Sequence, residues 1–339
     1  MKDEARPVRV GFRCDAGAGS GVGHLVRCVA LAEELSARGT EVVFLGEVRD
    51  SAWALAQLNG RGFTLVPAPA EPAGLAALAA RLRLGAVVLD SYRLPEGTGA
   101  VLRKAGLPVL AIVDGDPLGQ EADLYLDQNL GAERRPFHGE RLAGAPYVLL
   151  RDSVRRLGRA AGGGRVPRVL CFFGGTDSAG VAPAWARALL ATGRPFHGTV
   201  VSPAPFEAGG PITVIPPTDR LPELMAGADL VVTAAGSAIW ELCHLGVPTA
   251  LTWVAGNQLI GYEELVGRGV AAGLGRSPSL TDAPSPAASV GAGAVGVLSR
   301  LLADPAVREE HGRRGRGLVD GRGRERVADA LLRMAGRAI

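Results

Sequence analysis

The sequence has little of several features that mark specialised classes of protein. Aromatic residues make up 5% of the chain, histidine occurs five times, and the formal net charge is only +3. This small charge, with no basic stripe between aromatic residues, argues against nucleic-acid binding. No apolar run approaches the length of a membrane span, and the N-terminus lacks the apolar core of a signal peptide. These absences favour a cytoplasmic protein.

Cysteine is scarce as well. Cys14, Cys28, Cys171 and Cys243 form no CxxC pair and no cluster with metal-ligand spacing, which argues against a zinc site. Each lies in or beside an apolar segment, where cysteine acts as a small hydrophobic residue. The sequence predicts no metal and no cofactor.

The chain is rich in alternating apolar and amphipathic segments. Its 339 residues, 47% hydrophobic and 21% charged, suffice for two globular domains. Short apolar runs at 41–45, 86–89 and 108–113 alternate with helical patterns, and a second series begins at 169–173. This β–α–β rhythm predicts an α/β protein with two Rossmann-like domains facing a cleft.

A glycine-rich segment poor in apolar side chains, residues 158–167, has the composition of a linker. The predicted domains are therefore 1–157, which carries the glycine-rich loop described next, and 168–339. The last helix of the chain is a candidate to pack back on the first domain.

The opening stretch, residues 8–35, reads as a strand, a glycine-rich loop and a helix. Such a unit presents backbone N–H groups to an anion. His24 stands where the loop becomes the helix, and an imidazole there is a candidate base. A contact to phosphate and a purely structural histidine are the alternatives.

Two glycine turns in the second half could hold a diphosphate. Gly236 and Ser237 precede a helix, and Glu241 follows one turn later, where its carboxylate could accept bonds from ribose hydroxyls. Gly174-Gly175-Thr176 follows the first strand of the same domain. Both turns could instead be ordinary tight loops between a strand and a helix.

Polar residues follow the strands of the first half. Asp90-Ser91-Tyr92 could contact a ligand, or Asp90 could cap the next helix while Tyr92 packs at a rim. Asp114-Gly115-Asp116 has the letters of a metal motif, but it lies in the other half from the nucleotide turns. A polar loop is the preferred interpretation.

Taken in order, these short motifs resemble one family over nearly the whole chain, from Val8 to about Leu332. The family is the nucleotide-sugar hydrolases of the pseudaminic acid pathway with their spore-coat-polysaccharide relatives, which share the GT-B architecture of MurG-type glycosyltransferases. The motifs are Gly21-Val22-Gly23-His24, Asp90-Ser91-Tyr92, Leu126-Asp127-Gln128-Asn129, Phe173-Gly174-Gly175-Thr176-Asp177, Gly236-Ser237-x3-Glu241 and Gly256-Asn257-Gln258.

The resemblance implies metal-independent hydrolysis of a UDP-linked amino or deoxy sugar, with His24 activating water. The implied catalytic residues are His24, Tyr92 and Asn257. The implied substrate-binding residues are Asp15, Gly21, Gly23, Gly174, Gly175, Thr176, Gly236, Ser237, Glu241 and Gln258.

Two other functions remain open at this stage. One is an inverting, metal-independent glycosyltransferase in which His24 deprotonates a hydroxyl of a soluble acceptor. The other is a non-enzymatic protein that binds a nucleotide sugar. The hydrolase and the glycosyltransferase would share a donor site, so the sequence discriminates between these two functions only weakly.

Overall fold

The computed structural model describes residues 8–14, 16–17, 22–49, 51–159, 166–277 and 290–337. The chain divides into two compact units, one made of Met1–Asp152 with Gly321–Ile339 and the other of Ser153–Asp320. Each unit is built on a parallel sheet with helices, so the predicted α/β class with two such domains is confirmed.

The first unit holds a seven-stranded parallel sheet in the order β5-β3-β1-β6-β7-β8-β9 and a two-stranded pair, β2-β4. Its strands are β1 (Arg9–Cys14), β2 (Ala16–Gly17), β3 (Glu41–Leu45), β4 (Val48–Arg49), β5 (Thr64–Val66), β6 (Ala86–Asp90), β7 (Val109–Ile112), β8 (Leu124–Asp127) and β9 (Arg141–Ala143). Its first helices are α1 (Gly23–Ala37), α2 (Ala52–Asn59), α3 (Pro72–Arg81) and α4 (Thr98–Lys104).

The second unit holds a six-stranded parallel sheet in the order β12-β11-β10-β13-β14-β15. The strands are β10 (Arg168–Phe172), β11 (His197–Val201), β12 (Ile212–Ile215), β13 (Leu230–Ala234), β14 (Thr249–Trp253) and β15 (Ala272–Arg276). The helices are α5 (Asp152–Arg155), which begins at the last residue of the first unit, α6 (Ala182–Ala191), α7 (Leu221–Gly227), α8 (Ala238–Leu245), α9 (Leu259–Gly267), α10 (Ala292–Ala303) and α11 (Pro305–Arg316).

The last helix, α12 (Gly323–Arg337), belongs to the first unit and packs on α1. Leu331 of α12 and Leu31 of α1 lie in one buried core. Gly323 stands so close to the Val148 carbonyl that a Cβ there would overlap it. Buried Arg324 adds ion pairs to the carboxylates of Glu33, Glu34 and Asp152. These contacts hold the end of the chain on the first unit.

Continuous apolar strands form the centre of both sheets. All five residues of β6 and all five of β13 are buried, because helices cover both faces of a parallel sheet. On one face of the first sheet, β1 packs with α1 through side chains such as Phe12 and Leu31. On the other face, β6 packs with α3 through Val87 and Leu75.

In each sheet the direction of strand addition reverses once. The chain runs from β1 outward to β3 and β5 and then returns to β6 on the other side of β1; β10 and β13 have the same relationship in the second unit. Ligands of open α/β sheets bind outside the carboxyl ends of the strands at such a reversal. His24 and Asp90 lie at the first reversal, and the two glycine turns lie at the second.

Candidate active site

A histidine and an aspartate meet at the carboxyl end of the first sheet. His24 is the second residue of α1. Asp90 is the last residue of β6 and lies in register with Cys14 of β1. The distance from His24 Nδ1 to Asp90 Oδ1 is 2.6 Å. The two side chains are 7% and 0% exposed.

The ionisation of Asp90 fixes the hydrogen on the imidazole. Burial favours the neutral acid, but the charge of Arg27 and hydrogen bonds from Arg27 and His24 outweigh it and lower the pKa of Asp90. A carboxylate only accepts hydrogen bonds, so His24 Nδ1 carries the hydrogen that it donates to Asp90. Nε2 of the neutral ring is then a proton acceptor.

Arg27, one turn further along α1, joins Asp90 to Asp114. Its Nε donates to Asp90 Oδ2 at 2.7 Å and its Nη2 donates to Asp90 Oδ1 at 2.6 Å. Its Nη1 donates to Asp114 Oδ1 at 3.0 Å, in the loop after β7. Although burial disfavours a charged guanidinium, the two carboxylates hold the pKa of Arg27 well above its usual range.

Tyr92 and Asn129 extend the arrangement to the loops after β6 and β8. The Tyr92 hydroxyl donates to Asp114 Oδ2, and its ring stands edge-on to the His24 ring with centroids 4.6 Å apart. Asn129 Nδ2 donates to Asp114 Oδ1 at 2.8 Å. Burial alone would raise the pKa of Asp114. The charge and hydrogen bonds of Arg27, aided by hydrogen bonds from Tyr92 and Asn129, outweigh burial and hold this pKa well below its usual range. We call His24, Arg27, Asp90, Tyr92, Asp114 and Asn129 the His24 network.

The structure decides one alternative left open by the sequence, the role of Asp90, and shows the contacts of Asp114. Asp90 does not cap the next helix, because its carboxylate is held by His24 and Arg27, and α4 has no side-chain cap. Asp114 accepts hydrogen bonds from the guanidinium of Arg27, the phenol of Tyr92 and the amide of Asn129. Among the residues described, no cluster of three or more histidine, cysteine or acidic side chains could hold a metal ion.

The other residues predicted for this site are only partly described. Gly23 begins α1, directly before His24. Asp15 and Gly21, predicted to bind substrate, lie outside the described residues.

In the second unit, Ser237 is the N-cap residue of α8 but makes no capping hydrogen bond with its side chain. Gly236 immediately precedes it, and Glu241 lies one turn later with its side chain buried. A helix start whose N-cap hydroxyl is not used for capping suits an oxyanion.

The start of α6 is different, because a carboxylate already caps it. Asp177 accepts hydrogen bonds from the backbone N–H groups of Val181 and Ala182 at 3.0 and 3.1 Å. Burial raises the pKa of Asp177 although these N–H groups oppose the shift. The preceding turn is exposed at Gly174 and Gly175, with Thr176 half-buried. It can therefore offer a ligand its loop backbone, but not the start of the helix.

The third segment predicted for this unit is the short 3₁₀ turn Gly256–Gln258 after β14. Gln258 Oε1 accepts a hydrogen bond from the backbone of Val254 at 2.9 Å and so stabilises its own loop. Asn257 lies in the same turn, and its side chain is outside the described part of the structure.

Sequence reasoning missed Arg27 altogether. A signal was present, since an arginine three residues after His24 stands in the otherwise apolar run of α1. A buried guanidinium needs carboxylate partners, and Asp90 and Asp114 had been located at the ends of two strands.

No family model matches the chain. Two curated relatives are both named UDP-N-acetylglucosamine--N-acetylmuramyl-(pentapeptide) pyrophosphoryl-undecaprenol N-acetylglucosamine transferase. The protein of Xanthomonas euvesicatoria pv. vesicatoria (strain 85-10) is 29% identical over 376 residues, which covers 94% of this chain and 80% of the relative. That of Xanthomonas axonopodis pv. citri (strain 306) is 29% identical over 380 residues, covering 94% and 81%.

Solved glycosyltransferase structures match the fold over almost the whole chain. MurG of Acinetobacter baumannii has a TM-score of 0.66 at 15% identity, covering 96% of this chain and 100% of that one. The spinosyn forosaminyltransferase SpnP has a TM-score of 0.69 at 17% identity, covering 97% and 99%. SnogD from Streptomyces nogalater has a TM-score of 0.63 at 18% identity, covering 98% and 100%.

These comparisons correct the function predicted from the sequence. The prediction of a nucleotide-sugar hydrolase is wrong, because the curated relatives are transferases. The finer resemblance to the pseudaminic acid pathway finds no support among them, whereas the coarser one is confirmed. The chain has the GT-B fold and is related to the MurG-type glycosyltransferases.

Proposed function

We propose that the protein is an inverting glycosyltransferase that moves a sugar from a nucleotide-sugar donor to an acceptor hydroxyl. The observation that carries this proposal is the contact of His24 Nδ1 with Asp90, which leaves Nε2 of the imidazole as a proton acceptor at the reversal of the first sheet. A positioned histidine is the commonest general base in enzymes.

The reaction is a single displacement. The acceptor oxygen forms a bond to the anomeric carbon, the bond from that carbon to the diphosphate breaks, and His24 Nε2 takes the hydroxyl proton. Asp90 stabilises the imidazolium that results and keeps the ring in one orientation. Such a base contributes about 10²- to 10⁴-fold to the rate.

The second unit suits the leaving nucleoside diphosphate. The start of α8 at Ser237 and the exposed turn Gly174-Gly175-Thr176 can direct N–H and hydroxyl donors at diphosphate oxygens. Glu241, one turn into α8, suits the ribose hydroxyls, which donate to a carboxylate. Fixed donors of this kind stabilise developing negative charge without a metal ion.

UDP-N-acetylglucosamine is the first donor to test, because the names of both Xanthomonas relatives specify it. Those names also specify a lipid-linked acceptor, so the predicted soluble acceptor remains a prediction. Among the described residues, no helix has the length and apolarity of a membrane span. The cytoplasmic location also remains a prediction.

The test incubates the purified protein with UDP-N-acetylglucosamine, other UDP-sugars and CMP-sugars, each with soluble and lipid-linked acceptors. Mass spectrometry detects a new glycoside and NMR gives its anomeric configuration. We expect a product of inverted configuration, formed at least 100-fold more slowly by His24→Ala. Retention of configuration, or an unchanged rate in that variant, would contradict the proposal.

A further inference from the structure

Arg27 is a buried cation that the proposed reaction does not itself require. Its side chain is 6% exposed, and its guanidinium contacts both oxygens of Asp90 and both oxygens of Asp114. Removing a charged group from water is costly unless its partners compensate. An arginine between the partner of the candidate base and the partner of Tyr92 therefore needs an explanation.

We propose that Arg27 is the positioning residue of the His24 base: it fixes the Asp90 carboxylate against the imidazole and partly neutralises the two carboxylates that face it. The inference deepens the proposed function and rests on it for the role of His24. Arg27 contacts neither donor nor acceptor in this account, since it acts through Asp90 and Asp114.

The geometry of the guanidinium supports the orienting part of the proposal. Two different nitrogens of Arg27 reach the two oxygens of Asp90, at 2.7 and 2.6 Å, so the carboxylate cannot turn about its own axis. Asp90 Oδ1 is also the atom that receives the His24 Nδ1 hydrogen. A planar fork holds a carboxylate in this way, whereas the single ammonium of lysine does not.

The balance of charge supports the neutralising part. Among the described residues, the titratable and charged groups in and beside the His24 network come from several elements: Arg27 and Cys28 from α1, Cys14 from β1, Asp90 from β6, Tyr92 from the following loop, Asp114 from the loop after β7 and, beyond Asn129, Asp127 from β8. Without the guanidinium, uncompensated carboxylates would favour the imidazolium, which cannot accept a proton.

The activity test compares Arg27→Gln with Arg27→Lys over a range of pH, using acceptor-dependent transfer. We expect Arg27→Gln to lower kcat about 100-fold at pH 7 and to move the acidic limb of its pH profile upward by about one unit or more. Arg27→Lys restores the position of the limb but not the full rate. Arg27→Gln combined with Asp114→Asn moves the limb back toward that of the wild type.

Arg38→Gln is the matched control, because Arg38 caps the exposed end of the same helix and pairs with Glu34 and Asp329. It should leave the pH profile unchanged. A loss in Arg27→Gln that is equal at every pH, with no effect of the added Asp114→Asn, would mean that Arg27 is merely structural and would overturn the proposal.

A second measurement separates this inference from the proposed function. NMR titration of the His24 ring, assigned with His24→Gln, follows its protonation without any substrate. The His24 ring should take up its proton at higher pH in Arg27→Gln than in wild type, and at nearly the wild-type pH in Arg27→Lys. An unchanged titration overturns the inference, whereas the expected titration in a protein that transfers no sugar overturns only the proposed function.

Discussion

The side chains of His24 and Asp90 meet at 2.6 Å although the residues are 66 positions apart in the chain. The contact exists because β6 lies beside β1 in the sheet, with Asp90 in register with Cys14. Helix α1 is the first helix to follow β1 in the chain, and its first turn lies at the end of β6, where His24 contacts Asp90. The position of the candidate base is therefore a consequence of strand order.

Asp90→Asn tests the role of this contact. An amide can donate to His24 Nδ1, which moves the ring hydrogen to Nε2 and leaves no proton acceptor there. We expect kcat to fall about 10³- to 10⁴-fold, as for the same change in a serine-protease triad, with UDP binding unchanged. Asp123→Asn, at the amino end of β8, is the control. An Asp90→Asn variant that keeps a tenth of the activity would refute the assignment.

Donor binding should depend on the second unit alone. A carboxylate that accepts ribose hydroxyls contributes about 1.5–3 kcal/mol, so Glu241→Ala should weaken UDP binding about 10- to 150-fold by calorimetry. His24→Ala should bind UDP within about twofold of wild type, as should Glu223→Ala, which alters an exposed residue of α7. Equal weakening by Glu241→Ala and Glu223→Ala would mean that Glu241 does not contact the nucleotide.

The sequence predicted the architecture well, because β–α–β alternation is a local pattern. The apolar runs at 41–45 and 86–89 are strands β3 and β6. Arg27 was missed because its partners lie at the end of β6 and in the loop after β7, and the order β1-β6-β7 that brings them to α1 is not a local pattern. The prediction of hydrolysis was wrong, and the cause is physical. Attack by water and attack by an acceptor hydroxyl require the same base and the same leaving group, so the residues of the site do not distinguish them.

Arg324 should be critical for the stability of the first unit. Substituting Met leaves Glu33, Glu34 and Asp152 without a buried cation, a change that costs about 3–5 kcal/mol. Arg322→Met, two residues earlier, removes an exposed pair with Glu325 and should cost at most about 1 kcal/mol. Thermal or urea denaturation measures both, and equal losses would contradict the burial argument.

Asp127 should make stability depend on pH in a specific direction. Burial raises the pKa of Asp127 although N–H groups of Asn129 oppose the shift, and Oδ2 has no hydrogen-bond partner. Its contribution is therefore greatest at low pH and is lost as pH rises from the unfolded value, about 3.9, through the folded value.

Asp127→Asn removes that loss and keeps an oxygen for Asn129. The melting temperature of the variant, relative to wild type, should rise by a few degrees between pH 4 and pH 7. A difference that stays constant over this range would show that Asp127 titrates alike in the folded and unfolded states.

UDP release from a UDP-sugar, measured with and without an acceptor in wild type and His24→Ala, tests the central claim most directly. The account predicts rapid release by the wild type only when the acceptor is present, and a loss of about 10²- to 10⁴-fold in His24→Ala. Release at the same rate without any acceptor, or release that is indifferent to His24, would contradict glycosyl transfer by this base.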